Sequence, residues 1–319
     1  MMSIFLIVPI ACAGTTFQAY TTDNNWQDNE LINSLQSSYL KENTQISSET
    51  VLATTDDENE RSRNIPIVLV HGLWSNSETF SKLEKRLNEA GISTWNFDYE
   101  ENNIEDPRKI AIDLVNYINE KRRINRYYGE IDIIAHSMGA LITRWYMEEL
   151  EEGNANVRQW IGIAPVTGGI AIMDLYDYSL FNIFLRIFEL DNEGGALHQL
   201  STNSETVETL NANIPDNLNK GTIYRVIVGS NPTQSAEFMS MYGIPSPATI
   251  EKTGNSYTYT YQGDGIIANN QSFFHYYGEL IDVLYSDDEP AKFNHVSIQR
   301  QEETIQKILE HYSTPRSLV

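Results

Sequence analysis

A single cysteine, Cys12, stands in a chain of 319 residues. No disulfide can form within the chain, so the fold must be held by its core alone. Cys12 also lies outside the part of the sequence that reads as globular, which makes it a poor candidate for a catalytic thiol. Basic residues are scarce: 22 Lys and Arg face 44 Asp and Glu, a net charge of −22. Such a surface repels phosphate backbones and anionic headgroups, which argues against nucleic acid as a partner. There is no glycine-rich phosphate loop. No His, Cys or acidic cluster has a metal-ligand spacing. The run Asp287-Asp288-Glu289 reads as a solvated turn. Neither a metal nor a cofactor is therefore expected. Internal repeats are absent as well.

What is present fits a soluble globular chain, with 41% hydrophobic and 21% charged residues. Residues 1–14 are nearly all apolar, but too short to span a bilayer as a helix, which needs ~20 residues. They end in small residues, as the apolar part of a signal peptide does, although no basic start precedes them. The expectation is export or cell-envelope association; a cytoplasmic location stays open. A lipid anchor on Cys12 is a second option, and a buried N-terminal strand a third. Residues 15–64 are polar, without a sustained apolar period, and read as an extension with at most a short helix around 30–40.

At residue 65 the character changes. IPIVLV (65–70) is a continuous apolar, β-branched run, the mark of a strand buried on both faces. Phe80, Leu83 and Leu87 then recur at helical spacing up to Gly91. Further strands are expected at 92–97, 131–135, 157–164, 223–229 and 279–285. Helices are expected after Pro107, over 140–152 and over 298–312. Alternating buried strands and helices imply an α/β domain over 65–319, with a mostly parallel sheet flanked by helices. Its ligand should lie at the carboxyl ends of the strands. Two intervals break the rhythm: 168–220, with the apolar DLYDYSLFNIFLRIF, and 230–262, rich in Pro, Gly and Tyr, where YTYTY suggests a strand. Both follow strands that end near that edge, so both read as a lid or cap. The alternative for the first is a helix packed on the core.

The strongest local signal is Ala135-His136-Ser137-Met138-Gly139, between a buried strand and a helix. A serine there sits on a strained turn that lifts its hydroxyl above the sheet. Ala135 and Gly139 meet the demand for small residues two positions before and after it. The alternative, a serine that only caps the helix, explains less. The second signal is His71-Gly72-Leu73-Trp74, directly after 65–70. A glycine there lets the backbone turn an amide toward the site. The N–H groups of Leu73 and Met138 could then hold a developing oxyanion. His71 is expected to shape this loop by hydrogen bonding. His136 should point away from Ser137.

VLVHGLW, IDIIAHSMGALITRWY, GDGI and NHVSI together resemble the α/β-hydrolase superfamily, in particular bacterial and archaeal triacylglycerol lipases and esterases with an A-H-S-M-G elbow. The resemblance spans about 65–312, except 168–262. It implies the α/β-hydrolase fold, a Ser–acid–His triad in that chain order, and hydrolysis of carboxylic esters through an acyl-enzyme. Residue by residue, it places the nucleophile at Ser137, the acid at Asp264 within Gly263-Asp264-Gly265-Ile266, and the base at His295 in Asn294-His295-Val296. Asp264 lies well past the strand that ends at Gly229, and the only competing acids between them are Glu237 and Glu251. His275, His198 and His311 read as structural. The expected substrate is an apolar ester, and a lipid interface is a possible partner. A lipid acyltransferase, amidase or thioesterase with the same triad, or an inactive binding protein of this fold, would leave the same local signals.

Overall fold

The computed structural model describes residues 65–175, 195–230, 249–260, 262–276, 279–286, 288–289 and 292–313. The signal-like segment 1–14, the extension 15–64 and residues 176–188 of the apolar run in the first cap interval lie outside them.

Six strands form one sheet: β1 (Ile67–Val70), β2 (Thr94–Phe97), β3 (Ile131–His136), β4 (Val157–Ile163), β5 (Ile223–Gly229) and β8 (Leu280–Leu284), in the order β2-β1-β3-β4-β5-β8. Every neighbouring pair is parallel. The apolar run of β1 explains the layering. Alternate side chains of a strand face opposite sides. Val68 and Val70 pack into one core with Ile110, Leu114 and Ile118 of the helix α2 (Pro107–Asn125). Ile67 and Leu69 pack into the other with Leu83 and Leu87 of α1 (Ser81–Glu89) and Ile305 and Ile308 of α7 (Glu302–Ser313). A strand covered on both faces cannot alternate polar with apolar residues. Each aliphatic side chain so withdrawn from water contributes roughly 1.5–3 kcal/mol.

Local chemistry sets the helix ends. Asp106 caps α2 by accepting the Arg108 N–H at 2.9 Å, and Pro107 occupies the first turn, where a missing N–H costs nothing. The helix stops at Arg126, in left-handed conformation with φ 52°. The helix after Ser137 departs from the expected continuous 140–152. Gly139–Arg144 (α3) is α-helical, and Trp145–Leu150 winds on as a π-helical segment. It ends at Leu150, and the Gly153 N–H beyond it donates to the Met147 carbonyl at 3.0 Å.

Part of the first cap interval belongs to the core. The short helices α4 (Ala196–Gln199) and α5 (Glu205–Asn211) bury Leu197, Leu200, Val207 and Leu210. The sequence shows only its apolar content, and packing assigns that content to the core. In the second interval, β6 (Thr249–Thr253) and β7 (Ser256–Thr260) form an antiparallel hairpin turned at Gly254, so the first four residues of YTYTY, 257–260, lie on a strand. Asp174 ties this hairpin down, accepting from the Tyr257 hydroxyl at 2.6 Å and pairing with Lys252 at 3.3 Å. A short helix, α6 (Asn269–Ser272), follows the hairpin. Among the described residues, no helix is long and apolar enough to cross a membrane.

Candidate active site

Four chain segments meet at the carboxyl edge of the sheet. Ser137 follows the last residue of β3 and has φ 56°, a left-handed conformation that a side chain rarely adopts. The turn is held because the Ser137 N–H donates to the Ile163 carbonyl at 3.2 Å while its own carbonyl accepts from Ala140 at 3.0 Å. Its neighbours leave no space for larger residues. A Cβ on Gly139 would lie 2.6 Å from the His71 carbonyl oxygen, and one on Gly72 would lie 2.8 Å from the Ser137 Cβ. The two sequence motifs are thus two halves of one tight contact.

Asp264 follows the β6–β7 hairpin. Its carboxylate is buried and is fixed by its own turn: Oδ1 accepts the N–H groups of Ile266 at 3.0 Å and Ile267 at 2.8 Å. The flanking glycines are required for different reasons. Gly265 has φ 95°, and a Cβ on Gly263 would strike Thr249 and the Ile267 carbonyl. His295 lies between β8 and α7. Its Nδ1–H donates to Asp264 Oδ2 at 2.7 Å, and its Nε2 accepts from the Ser137 hydroxyl at 2.8 Å. The carboxylate can only accept, so it holds the imidazole in the tautomer whose free Nε2 faces the serine. Ser137 and His295 are 158 residues apart in sequence and in hydrogen-bond contact in space. An array of this kind can move a proton from a hydroxyl to an imidazole while a neighbouring carboxylate steadies the cation.

The loop after β1 is braced from β2. The His71 ring is fully buried and stacks on Tyr99, with centroids 3.9 Å apart and planes 4° apart. Its Nδ1–H donates to the Gly72 carbonyl at 3.0 Å, its Nε2 accepts the Tyr99 N–H at 3.3 Å, and the Tyr99 hydroxyl donates to the His71 carbonyl. His71 therefore shapes the loop and makes no hydrogen bond to Ser137. Among the described residues, neither the Leu73 nor the Met138 N–H has a hydrogen-bond acceptor. Tyr99 was not a sequence candidate. Its only signal is register: Val70 pairs with Phe97, which brings the residues just beyond each to the same edge.

The other histidines have other partners or face solvent. The His275 Nε2–H donates to the Asn270 carbonyl at 2.7 Å, and His311 meets Asp282 at 3.1 Å. His198 sits exposed on α4. The His136 side chain bonds to His295 and not to Ser137. Its ring lies 5.1 Å from that of His295, and its Nε2–H donates to the His295 carbonyl at 2.8 Å. Among the described residues, no group of three His, Cys, Asp or Glu could hold a metal ion.

Burial makes two of these rings poor bases. Desolvation lowers the pKa of His71, and lowers that of His136 to about 3, with the charge of His295 adding to the effect. Above pH ~6.5 both rings are neutral whether the chain is folded or not. As the pH falls below that value, the unfolded chain binds the protons first, and stability is lost until the folded pKa is reached. For His136 alone the loss should reach roughly 3 kcal/mol by about pH 4.5. Denaturant melts of wild type and His136→Gln from pH 7 to 4.5 should diverge by that amount. Parallel curves would show that His136 does not titrate in this way.

Residues 64–182 match a protein-family model described as Lipase (class 2). No curated protein sequence matches the chain. Among solved structures, it is similar to the Bacillus licheniformis lipase BlEst2 in its mature form, at 15% identity and TM-score 0.57, over 83% of this chain and 96% of that one. It is also similar to the phospholipase PlaB from Legionella pneumophila, at 14% identity and TM-score 0.57, over 80% of this chain and 59% of that one. A metagenomic carboxyl esterase matches at 14% identity and TM-score 0.51, over 83% and 79%. At such identities the likeness is one of fold. With its parallel sheet, its serine elbow and its match to the class 2 lipase model over 64–182, the chain is an α/β-hydrolase-fold protein similar to lipases and esterases.

Proposed function

We propose that the chain is a carboxylic-ester hydrolase that works through an acyl-enzyme on Ser137. One observation carries the reading: the unbroken hydrogen-bond chain from Ser137 through His295 to Asp264. The Ser137 oxygen attacks the acyl carbon as its proton passes to His295 Nε2. Negative charge develops on the carbonyl oxygen, where the Leu73 and Met138 N–H groups stabilise it; one such donor is worth ~3 kcal/mol. Collapse of the tetrahedral species breaks the ester bond, and the leaving alcohol takes the proton from His295. Water then repeats the sequence and frees the acid. Asp264 remains ionised throughout.

The substrate is an ester with an apolar acyl group. The class 2 lipase match supports this, as do two exposed apolar side chains next to site residues: Trp74 beside Leu73, 40% exposed, and Val296 beside His295, 47% exposed. A net charge of −22 favours neutral over anionic lipid surfaces. The test is fluorophosphonate labelling together with a p-nitrophenyl ester chain-length series. Labelling should map to Ser137, and turnover should rise from acetate to longer acyl chains. A wild type that neither labels nor turns over any ester would overturn the hydrolase reading. Rates that fall steadily from acetate would overturn the apolar acyl site alone. Product analysis with an added alcohol or amine separates hydrolysis from acyl transfer.

A further inference from the structure

We propose that His136 is a positioning residue for the catalytic base: its ring N–H ties the backbone of His295 to the strand end that carries Ser137. The inference rests on the site reading above and goes beyond it.

All four polar groups of His295 are bonded. Its Nδ1–H and its backbone N–H both donate to Asp264, the second to the Asp264 carbonyl at 3.0 Å. Its Nε2 accepts from Ser137, and its carbonyl accepts from His136 at 2.8 Å. The two bonds to Asp264 fix the base relative to the acid. The bond from His136 fixes it relative to the nucleophile, because His136 is the residue immediately before Ser137 and the last of β3. A displacement of the strand end thus moves nucleophile and base together, and the 2.8 Å contact between them survives. Without this strut, the His295 backbone would keep its bond to Asp264 but lose its bond to the strand end that carries Ser137. Its own turn rests on Asn294, whose carbonyl accepts from Ser297 at 3.1 Å and Ile298 at 2.9 Å.

The state of the ring fits this task. Nε2 faces a carbonyl, which only accepts, so Nε2 must carry the proton. His136 is 5% exposed, and its Nδ1 is buried without a hydrogen-bond partner, facing the space beside Gly72. An unpaired buried acceptor is costly, and a residue kept for volume alone would not need it. The charged or titratable groups around the ring are His295, His71 and Arg300, and each would repel a second proton. The strut therefore stays neutral when His295 becomes an imidazolium during turnover.

Glutamine can place an amide N–H near the position of Nε2, whereas asparagine reaches only about as far as Nδ1. His136→Gln, His136→Asn and His136→Leu are compared with wild type for kcat, KM, fluorophosphonate labelling rate and Tm. The Asn and Leu variants should lose on the order of ten- to a hundredfold in kcat and labelling rate, the size expected for a misplaced base, with KM little changed. Gln should recover most of that loss. Should the Leu variant fail to fold, the Gln and Asn pair still decides. In wild type and in Ser137→Ala, histidine nitrogen NMR should place the His136 proton on Nε2. Wild-type kcat in the Asn variant, equal losses in Gln and Asn, or a proton on Nδ1 would each overturn the proposal. If wild type fails to label at Ser137, the site reading falls and the catalytic role of His136 falls with it. Labelling at Ser137 with an unaffected Asn variant would sink the positioning role alone.

Discussion

Ser137→Ala should abolish ester turnover and fluorophosphonate labelling, a loss of roughly 10⁴- to 10⁶-fold in kcat, with KM and Tm little changed. The alanine removes only the hydroxyl, and the elbow is held by backbone groups that remain. Asp264→Asn should cost about 10⁴-fold by a different route. Oδ1 of Asp264 accepts two backbone N–H groups, so the amide oxygen of an asparagine would be kept in that place. The amide nitrogen would then face His295 Nδ1 and donate to it. The imidazole would be forced to protonate Nε2, and a protonated Nε2 cannot accept the Ser137 proton. Crystal structures of the variant should show unchanged positions for all three residues despite the lost activity. Turnover in Asp264→Asn within about tenfold of wild type would show that the tautomer is set by something other than Asp264.

Arg144→Met should destabilise the fold by about 3–5 kcal/mol, equivalent to a Tm drop on the order of 10 °C for a domain of this size. Arg144 lies on the helix that begins just after Ser137, and its side chain is fully buried with that of Glu148. It donates to both Glu148 oxygens, at 2.9 and 2.8 Å, and also to the Leu210 carbonyl and the Asn211 side chain of α5. The Tyr224 hydroxyl of β5 donates to the same carboxylate at 3.2 Å, and the guanidinium lies 4.8 Å from the centre of the Phe274 ring. Removing the arginine strands a buried carboxylate whose pKa burial already raises. That carboxylate would have to take up a proton to stay inside, so the deficit should narrow as the pH falls from 8 to 5. Arg144→Met with Glu148→Leu should recover most of the stability, because an apolar pair of similar volume leaves no unpaired charge. A single variant as stable as wild type would mean that water reaches Glu148.

The two predictions differ in how their residues could be seen beforehand. The elbow was legible because its requirements are local. A strand that feeds straight into a helix needs a serine in left-handed conformation and small neighbours, and five consecutive residues display that. Asp264 was legible for a related reason: its two glycines serve one turn, and no other aspartate lies between it and β5. The parallel sheet was legible through the apolar runs of β1 and β3, which two-sided burial forbids from alternating. Arg144 and Glu148 stand four residues apart on a helix, a spacing that ordinary exposed pairs share. Nothing near them in sequence shows that α5 and β5 close over them.

The sequence by itself determined the order of strands and helices, the elbow, the glycines that permit it, and the residue types that the site holds. These follow from backbone sterics and hydrophobic periodicity, which act over a few residues. Tertiary structure alone decided that His136 bonds to the carbonyl of a residue 159 positions later, that Tyr99 clamps His71, and that residues 196–210 fill the core. It also set Ser137 and His295 at 2.8 Å, a distance that no local rule contains. Such contacts arise from strand register and from which faces of the sheet remain to be covered, and both are properties of the packed chain as a whole.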